Sequence, residues 1–168
     1  MGRQRERQMK FRKLITSAVV ASFALGTAAP LFADEGHEHS KKKRFEESQV
    51  RHDVMEHFGD GFSKIGKIFK KEAGTFADFP AIAADMADAA TKTKASFLKD
   101  TRGMKGHTEA KDIIWDNWDD FAERLDKLEV DTAAFSVAAK TGDMKLIQPA
   151  MKAVGANCKS CHDKYKDK

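Results

Sequence analysis

Cysteine is scarce in this chain, because only two of the 168 residues, Cys158 and Cys161, carry a thiol. A structural zinc site takes four ligands, often two cysteine pairs or one pair with two well-spaced histidines, and no second cysteine pair exists here. β-Strand patterns are absent as well, since no run of β-branched residues alternates with polar residues between turn signals. No cluster of thiol, hydroxyl and carboxylate groups suggests hydrolysis. These absences favour an all-α protein whose chemistry centres on two thiols.

Both cysteines lie in one C-x-x-C-H pentapeptide, residues 158–162. Two thiols three positions apart can each add to a vinyl group of one porphyrin, and the adjacent imidazole can ligate its iron. A thioredoxin-like redox pair would need a βαβ context, which the sequence does not supply. The motif therefore predicts one covalently attached haem c, held by Cys158 and Cys161, with His162 as an axial ligand of the iron.

The first 33 residues have the features of an export signal. Six basic residues precede an apolar run, residues 14–30, that is too short and too rich in alanine and glycine for a comfortable membrane span. Leu31-Phe32-Ala33 resembles a cleavage site, and no twin-arginine pair precedes the run, which favours the general secretory route to the periplasm. An uncleaved anchor is the alternative, because Leu31 is larger than the usual residue at its position.

This organisation predicts three regions. They are a cleaved signal peptide (1–33), a flexible N-terminal segment (34–43) and one four-helix-bundle cytochrome c domain (44–168). After cleavage we expect no stable membrane insertion. Six of the 30 lysines and arginines, but one of the 26 acidic residues, precede Asp34, so 24 basic and 25 acidic residues remain. The net positive charge of the whole chain therefore comes from the predicted signal peptide, and no nucleic-acid partner is expected.

The spacing of apolar residues predicts four helices. Apolar side chains recur every three or four residues in three stretches, and a fourth stretch is rich in alanine and begins with Phe79-Pro80, which suits a helix start. The stretches are 54–69, 80–98, 114–135 and 144–165. Turn-like breaks separate them at Gly74, at 102–106 and at Gly142. Four antiparallel helices with short connections make an up-down bundle, in whose core a cofactor can lie.

Three glycines in the first predicted helix call for an explanation, because each costs it up to about 1 kcal/mol relative to alanine. They are Gly59, Gly61 and Gly66. They either loosen the helix or allow the close approach of a neighbouring helix, a second subunit or the porphyrin face.

The position of the haem motif points to a family. Only residues 163–168 follow His162, so a sixth iron ligand must come from upstream. The chain here resembles the class II cytochromes c, the family of cytochrome c′ and its low-spin methionine-ligated relatives. The resemblance runs from about Val50 to Lys166 and rests on residues 154–165 and on Ile114-Trp115 with Phe121; the stretch 101–108 departs from the compact loop of the family. It implies an antiparallel four-helix bundle with covalent haem near the C-terminus.

The resemblance also implies roles for single residues. Arg51 stands where the family commonly has an arginine near a haem propionate, and Met55, four residues later, stands where a residue faces the distal side of the iron. Lys166 stands where many members have an arginine beside the proximal histidine. Apart from the resemblance, Trp115 and Trp118 are expected to be packing residues, one or both of them near the porphyrin. Met55 could instead fill the core, and His52, one turn earlier, could compete as a ligand.

Met55 decides between two functions. If its thioether ligates the iron, the haem is low-spin and six-coordinate, and the protein is a soluble one-electron carrier. If Met55 stands away, the iron is high-spin and five-coordinate, and the protein binds or buffers a small gas such as nitric oxide. The segment 114–121 looks more like the low-spin relatives, so we predict the carrier. We predict no enzyme, because a peroxidase needs a distal base and His52 is the only candidate.

The expected partners are periplasmic or membrane-bound redox proteins, and the family resemblance adds homodimer formation through the first two helices. Four lysines surround the haem motif and predict docking to an acidic partner that weakens as salt rises. They are Lys159, Lys164, Lys166 and Lys168. A second basic cluster, residues 41–44, is interpreted as a solvated flank.

Overall fold

The computed structural model describes residues 43–167, and most of them are helical. The helices are α1 (Glu46–Phe69), α2 (Phe79–Ser96), α3 (Ile113–Asp116), α4 (Trp118–Thr141) and α5 (Met144–Tyr165). The four long helices form the predicted antiparallel bundle, and β pairing within 43–167 is limited to two isolated bridges. The predicted signal peptide and nearly all of the predicted flexible segment lie outside the described residues.

The turn between α1 and α2 is built by local hydrogen bonds. Lys71 adopts a left-handed conformation (φ 59°) and ends α1, and the N–H of Glu72 donates to the carbonyl of Lys67 at 2.9 Å. The N–H of Thr75 donates to Asp78 Oδ2 at 2.7 Å, and a 3-10 turn over Phe76–Asp78 leads into α2. As predicted, Pro80 lies in the first turn of α2, where its missing N–H costs no helical hydrogen bond.

The third predicted helix is interrupted, which corrects the continuous helix expected over 114–135. Asn117 leaves the helical region (φ −123°, ψ 42°) and separates α3 from α4. Its side-chain Nδ2 donates to the carbonyl of Ile113 at 3.2 Å, and its own carbonyl accepts from the N–H of Phe121 at 3.0 Å. Trp115 and Trp118 therefore lie on different helices rather than on one continuous face.

The long helices pack in the order α1, α2, α4, α5, while α1 and α5 make no comparably close backbone contact among the described residues. Apolar side chains at helical spacing fill the interior, and the largest of them are completely or almost completely buried. They include Phe79, Met86, Phe135, Ile147 and Val154. The separation of α1 from α5 leaves room between them at one end of the bundle.

A second apolar cluster closes that end. Phe121 is its centre, with ring centroids 4.9 Å from Phe97 and 5.0 Å from Tyr165 in edge-to-face geometry. Met55 packs against both this cluster and the main core. The first helix therefore spans the boundary between the two apolar regions at Met55.

The glycines of α1 differ in what surrounds them. A Cβ on Gly61 would lie 2.6 Å from Met86 Sδ, so the absence of a side chain allows α2 to approach α1 closely. Gly66 has no such neighbour within 4 Å. Gly59 has none either and lines the cavity described below.

This contrast predicts opposite effects of alanine at two positions of one helix. Gly66→Ala should raise the free energy of unfolding by up to about 1 kcal/mol through helix propensity. Gly61→Ala gains the same propensity, but overpacking against fully buried Met86 costs about 1–3 kcal/mol, so a net loss is expected. Denaturant unfolding of the haem-loaded protein measures both, and equal stabilisation by the two substitutions would contradict the close packing at Gly61.

Candidate haem site

A cavity of about 470 Å³ lies between α1 and α5, bordered by α4 and by the loop before α3. Its volume is in the range of cofactor sites, and most of its lining is apolar. From α1 the apolar lining includes Met55, Phe58 and Phe62, and from α4 it includes Phe121, Leu125 and Leu128. The predicted haem-binding residues of α5 complete it.

The C-x-x-C-H motif lies in the last turns of α5. Cys158, Cys161 and His162 all line the cavity, since positions three apart on a helix share a face. Burial raises the pKa of Cys158 and raises that of Cys161 to about 11, so both thiols are neutral at pH 7. Reactive thiol pairs need a lowered pKa, so this environment does not suit a thioredoxin-like pair.

His162 has an environment suited to metal ligation. Burial, and next the positive charge of Lys166, lower the pKa of the imidazole. A neutral imidazole keeps a lone pair free for iron. His162 thus faces the cavity in the form that a haem ligand requires.

Met55 lies on the α1 side of the same cavity. It is partly buried, and Phe58 and Phe62, one and two turns further along α1, also line the cavity. The structure therefore brings Met55 and His162, predicted from sequence as the two axial ligands, to one cavity.

His52, the competing ligand suggested by the sequence, also lines the cavity. Its side chain is 37% exposed, and Nε2 lies 3.2 Å from Glu56 Oε1 one turn along α1. The imidazole thus has a carboxylate partner at the edge of the cavity. His52 as an alternative iron ligand stays a prediction.

Arg51 is the most buried charged residue at the site, with 4% of its surface exposed. Its Nε donates to the carbonyl of Ser96 at 3.2 Å, and its Nη2 donates to Thr101 Oγ1 at 2.8 Å. Nη1 is buried with no partner among the described residues, and Arg51 lines the cavity. A buried donor without a partner is costly. A carboxylate in the cavity would satisfy it.

Aromatic rings hold that guanidinium. Its central carbon lies 5.0 Å from the ring centroid of Phe97, 5.4 Å from that of Trp115 and 5.9 Å from that of Phe45. Trp115 Nε1 donates to the carbonyl of Phe97 at 3.1 Å, and its ring supports Arg51. The expected place of Trp115 near the porphyrin stays a prediction.

A strap of residues 107–111 borders the cavity, and sequence reasoning missed it. On one side the N–H of His107 donates to the carbonyl of Lys43 at 3.0 Å. On the other side the N–H of Lys111 donates to the carbonyl of Tyr165 at 3.0 Å, and the N–H of Asp167 donates to that of Glu109 at 2.8 Å. The strap thus joins the segment before α1 to the end of α5. No local pattern signals such long-range backbone pairing.

The lysines near the motif lie beside carboxylates. Lys159 Nζ is 2.6 Å from Asp163, Lys164 Nζ is 3.1 Å from Asp120, and Lys166 Nζ is 3.4 Å from Glu109. Lys168 lies outside the described residues. These ion pairs make the local positive charge smaller than the sequence alone suggests. Lys166 and Glu109 both line the cavity beside His162.

Asp120 fastens the end of α5 to α4. Its carboxylate accepts hydrogen bonds from Tyr165 Oη at 2.5 Å and from Arg124 Nε at 2.8 Å, besides the contact with Lys164. The hydrogen bond from Arg124, followed by those from Tyr165 and Lys164, holds the pKa of this carboxyl well below its usual range. Arg124 Nη1 also donates to Ser160 Oγ at 3.2 Å, within the motif.

The residues that line this cavity fit a covalently attached haem c. The cavity is apolar, two neutral thiols and a neutral imidazole face it from one helix end, and an arginine with an unpartnered N–H lies at its wall. Carboxylates of a haem would meet that arginine. Within residues 43–167 no cluster of three or more histidine, cysteine or acidic side chains could hold a bare metal ion.

A sequence profile of the family described as Cytochrome C′ matches residues 46–166. The chain belongs to the cytochrome c′ family. It is therefore a c-type haem protein with covalently attached haem, as the motif predicted. The class II resemblance inferred from the motif and the bundle is confirmed.

Individual relatives agree with this assignment. A cytochrome c-554 of Cereibacter sphaeroides is 31% identical over 121 residues, which cover 70% of this chain and 90% of the relative. A cytochrome c′ of Rubrivivax gelatinosus is 42% identical over 65 residues, a match that covers 38% of this chain and only half of that relative. The cytochrome c prime structure from Shewanella frigidimarina superposes with a TM-score of 0.66 at 28% identity, covering 73% of this chain and 94% of that one.

The Asp120 contacts predict a pH-dependent stability difference. The pKa of Asp120 in the folded protein lies below the unfolded value of about 3.9, so its stabilising contribution is full above that pH. It is lost as the pH falls through the folded pKa. Asp120→Asn should therefore lower the free energy of unfolding at pH 7, and the difference from wild type should shrink below about pH 4.

Glu123→Gln is the matched control, because Glu123 is an exposed residue of the same helix without an ion pair in the described structure. Denaturant unfolding at several pH values measures both variants. A difference for Asp120→Asn that does not change with pH would contradict a role for the charged carboxylate.

Proposed function

We propose that this cytochrome is a periplasmic one-electron carrier whose iron is ligated by His162 and Met55. The observation that carries the proposal is the position of these two residues, which approach one apolar cavity from α5 and from α1. Export by the general secretory route, the covalent attachment at Cys158 and Cys161, and the roles of the surrounding residues form part of the same proposal. Within residues 43–167 no helix is long and apolar enough to cross a bilayer.

Haem c, when bound, supplies an iron that gains and loses one electron. The residues of the chain set the conditions for that change. Cys158 and Cys161 would fix the porphyrin to α5, and His162 and Met55 would hold the iron from two sides. Two strong ligands on rigid helices limit the rearrangement that accompanies electron gain or loss, and His/Met ligation favours a relatively high reduction potential.

Arg51 would face a haem propionate in this proposal. Its guanidinium is already oriented by Ser96, Thr101 and the aromatic rings, and Nη1, which has no partner in the described structure, is left to donate to a carboxylate. A charge-assisted hydrogen bond in a buried place is strong. Lys166, paired with Glu109, would lie on the His162 side of the cavity.

A second function, the binding or buffering of a small gas such as nitric oxide, follows if Met55 stands away from the iron. The observation in its favour is that Phe58 and Phe62 line the cavity beside Met55. They would leave an apolar space that admits only a small uncharged ligand. The two functions differ in the spin state of the iron.

Absorption spectra of the ferric and ferrous protein, with and without carbon monoxide, separate the two functions. We expect a low-spin ferric spectrum with the near-infrared methionine-to-iron charge-transfer band. Met55→Ala should abolish that band, make the iron high-spin and allow carbon monoxide to bind. Met104→Ala is the control, since Met104 lies in an exposed loop away from the cavity and should leave the spectrum unchanged.

Other outcomes decide against the carrier. A high-spin wild-type spectrum with ready carbon monoxide binding would support the gas-binding function. A low-spin spectrum that survives Met55→Ala but is lost in His52→Ala would assign the ligand to His52 instead. Absence of covalently bound haem would overturn both functions.

The redox partner remains a proposal, and we expect a periplasmic or membrane-bound redox protein that approaches the haem edge. Because Lys159, Lys164 and Lys166 lie beside carboxylates, their attraction to an acidic partner is partly cancelled. Docking should therefore depend less on salt than four free lysines would imply. Homodimer formation through α1 and α2 also remains a proposal.

A further inference from the structure

The opposite end of the bundle from the haem cavity presents four lysines and two phenylalanines to solvent. We call this surface the basic aromatic end. It consists of Lys64, Lys67, Phe69, Lys70, Lys71 and Phe76. All six side chains belong to the last two turns of α1 and the turn that follows it.

The phenylalanines are unusual in their exposure. Phe69 is 41% exposed and Phe76 is 53% exposed, and they are the only exposed aromatic residues within 43–167. Their rings lie 5.6 Å apart, and Phe76 also packs 5.5 Å from fully buried Phe79. Phe76 is thus held in place by the core while half of its surface faces water.

The four lysines have no fixed carboxylate, in contrast to seven of the 13 lysines elsewhere in residues 43–167. Seven lysines of the described chain form ion pairs, but none of the four at this end does. Two acidic residues lie in the adjoining turn, Glu72 and Asp78, and the Asp78 carboxylate accepts hydrogen bonds from Thr75. The end therefore carries a net positive charge.

The helix dipole explains only part of this arrangement. Lysines in the last turn of α1 lie favourably near the negative end of its dipole. The dipole does not explain why Phe76, beyond the helix, is exposed beside them. It also does not explain Lys71 in a left-handed conformation, which glycine adopts at lower cost. Lysines interleaved with exposed phenylalanines are the side chains that bind membrane interfaces.

We propose that the basic aromatic end is a peripheral docking surface for anionic phospholipid. The ammonium groups would meet lipid phosphates while the rings of Phe69 and Phe76 enter the headgroup boundary. The proposal is independent of the axial ligands of the iron. It concerns binding at the surface and involves no helix that spans a bilayer.

Two other occupants fit this surface less well. A redox partner docked here would lie far from the haem, since about 20 Å of helix separates Phe69 from Met55. A second copy of the chain in a symmetric contact would place lysines against lysines. A membrane surface needs no short distance to the haem and brings no positive charge against these lysines. It also leaves the haem end of the bundle free for a redox partner.

Cosedimentation with lipid vesicles tests the proposal on the haem-loaded protein as exported. We expect binding to phosphatidylcholine vesicles that contain phosphatidylglycerol, weak binding to phosphatidylcholine alone, and release at high salt. Lys67→Gln/Lys71→Gln should weaken binding to anionic vesicles roughly 25-fold, at roughly fivefold for each lysine. Neither lysine side chain is buried, so this variant should fold normally.

Lys92→Gln/Lys105→Gln is the matched control, because it removes the same charge from exposed lysines outside this surface and outside the cavity lining, and it should bind like wild type. Phe76→Ser should also weaken binding, with circular dichroism as a check of folding because Phe76 packs on Phe79. Mass spectrometry should establish where the purified chain begins, since an uncleaved apolar run would itself bind lipid.

Several outcomes would overturn the proposal. They are no binding to anionic vesicles, equal losses in the two lysine double variants, and binding of every variant equal to that of wild type. A shift in oligomeric state with Lys67→Gln/Lys71→Gln, without a change in vesicle binding, would assign the surface to contacts between copies of the chain. Weaker binding to an acidic redox protein, with vesicle binding unchanged, would assign it to a protein partner.

Discussion

The separation of α1 from α5 is the constraint on which the rest of the structure depends. Helices α1, α2, α4 and α5 pack in succession, and the cavity of about 470 Å³ lies where the backbones of the first and last of them stay apart. The cavity is partly open to solvent, and haem in it would cover the apolar side chains of α1, α4 and α5 that line it. We therefore expect bound haem to stabilise the bundle.

Contacts outside the cavity keep the residues that line it in position. Asp120 ties the end of α5 to α4, and the strap of residues 107–111 ties the same end to the segment before α1. Arg51 is oriented by two hydrogen bonds and by the rings of Phe97 and Trp115. A site that spans two helices with no close backbone contact needs such supports, because neither helix alone fixes the distance between Met55 and His162.

Sequence reasoning predicted what local patterns encode. The helical periods and Pro80 predicted the four long helices, and the C-x-x-C-H motif alone predicted Cys158 and Cys161 as haem-binding residues. The break between α3 and α4 at Asn117 was not predicted, because apolar residues keep the same spacing on both sides of it. The support of Arg51 by Trp115 and the contact of Lys164 with Asp120 were not predicted, because each contact joins residues far apart in the sequence. Tertiary packing decides those contacts, and the spacing of apolar residues along the sequence carries no information about them.

X-ray absorption at the iron K-edge of the ferric protein tests the link between cavity and function most directly, because it identifies the atoms bound to the metal. If the iron lies between His162 and Met55, the first shell contains one sulfur in addition to the porphyrin and imidazole nitrogens. A first shell made of nitrogen alone would contradict Met55 as a ligand, and with it the electron carrier as proposed.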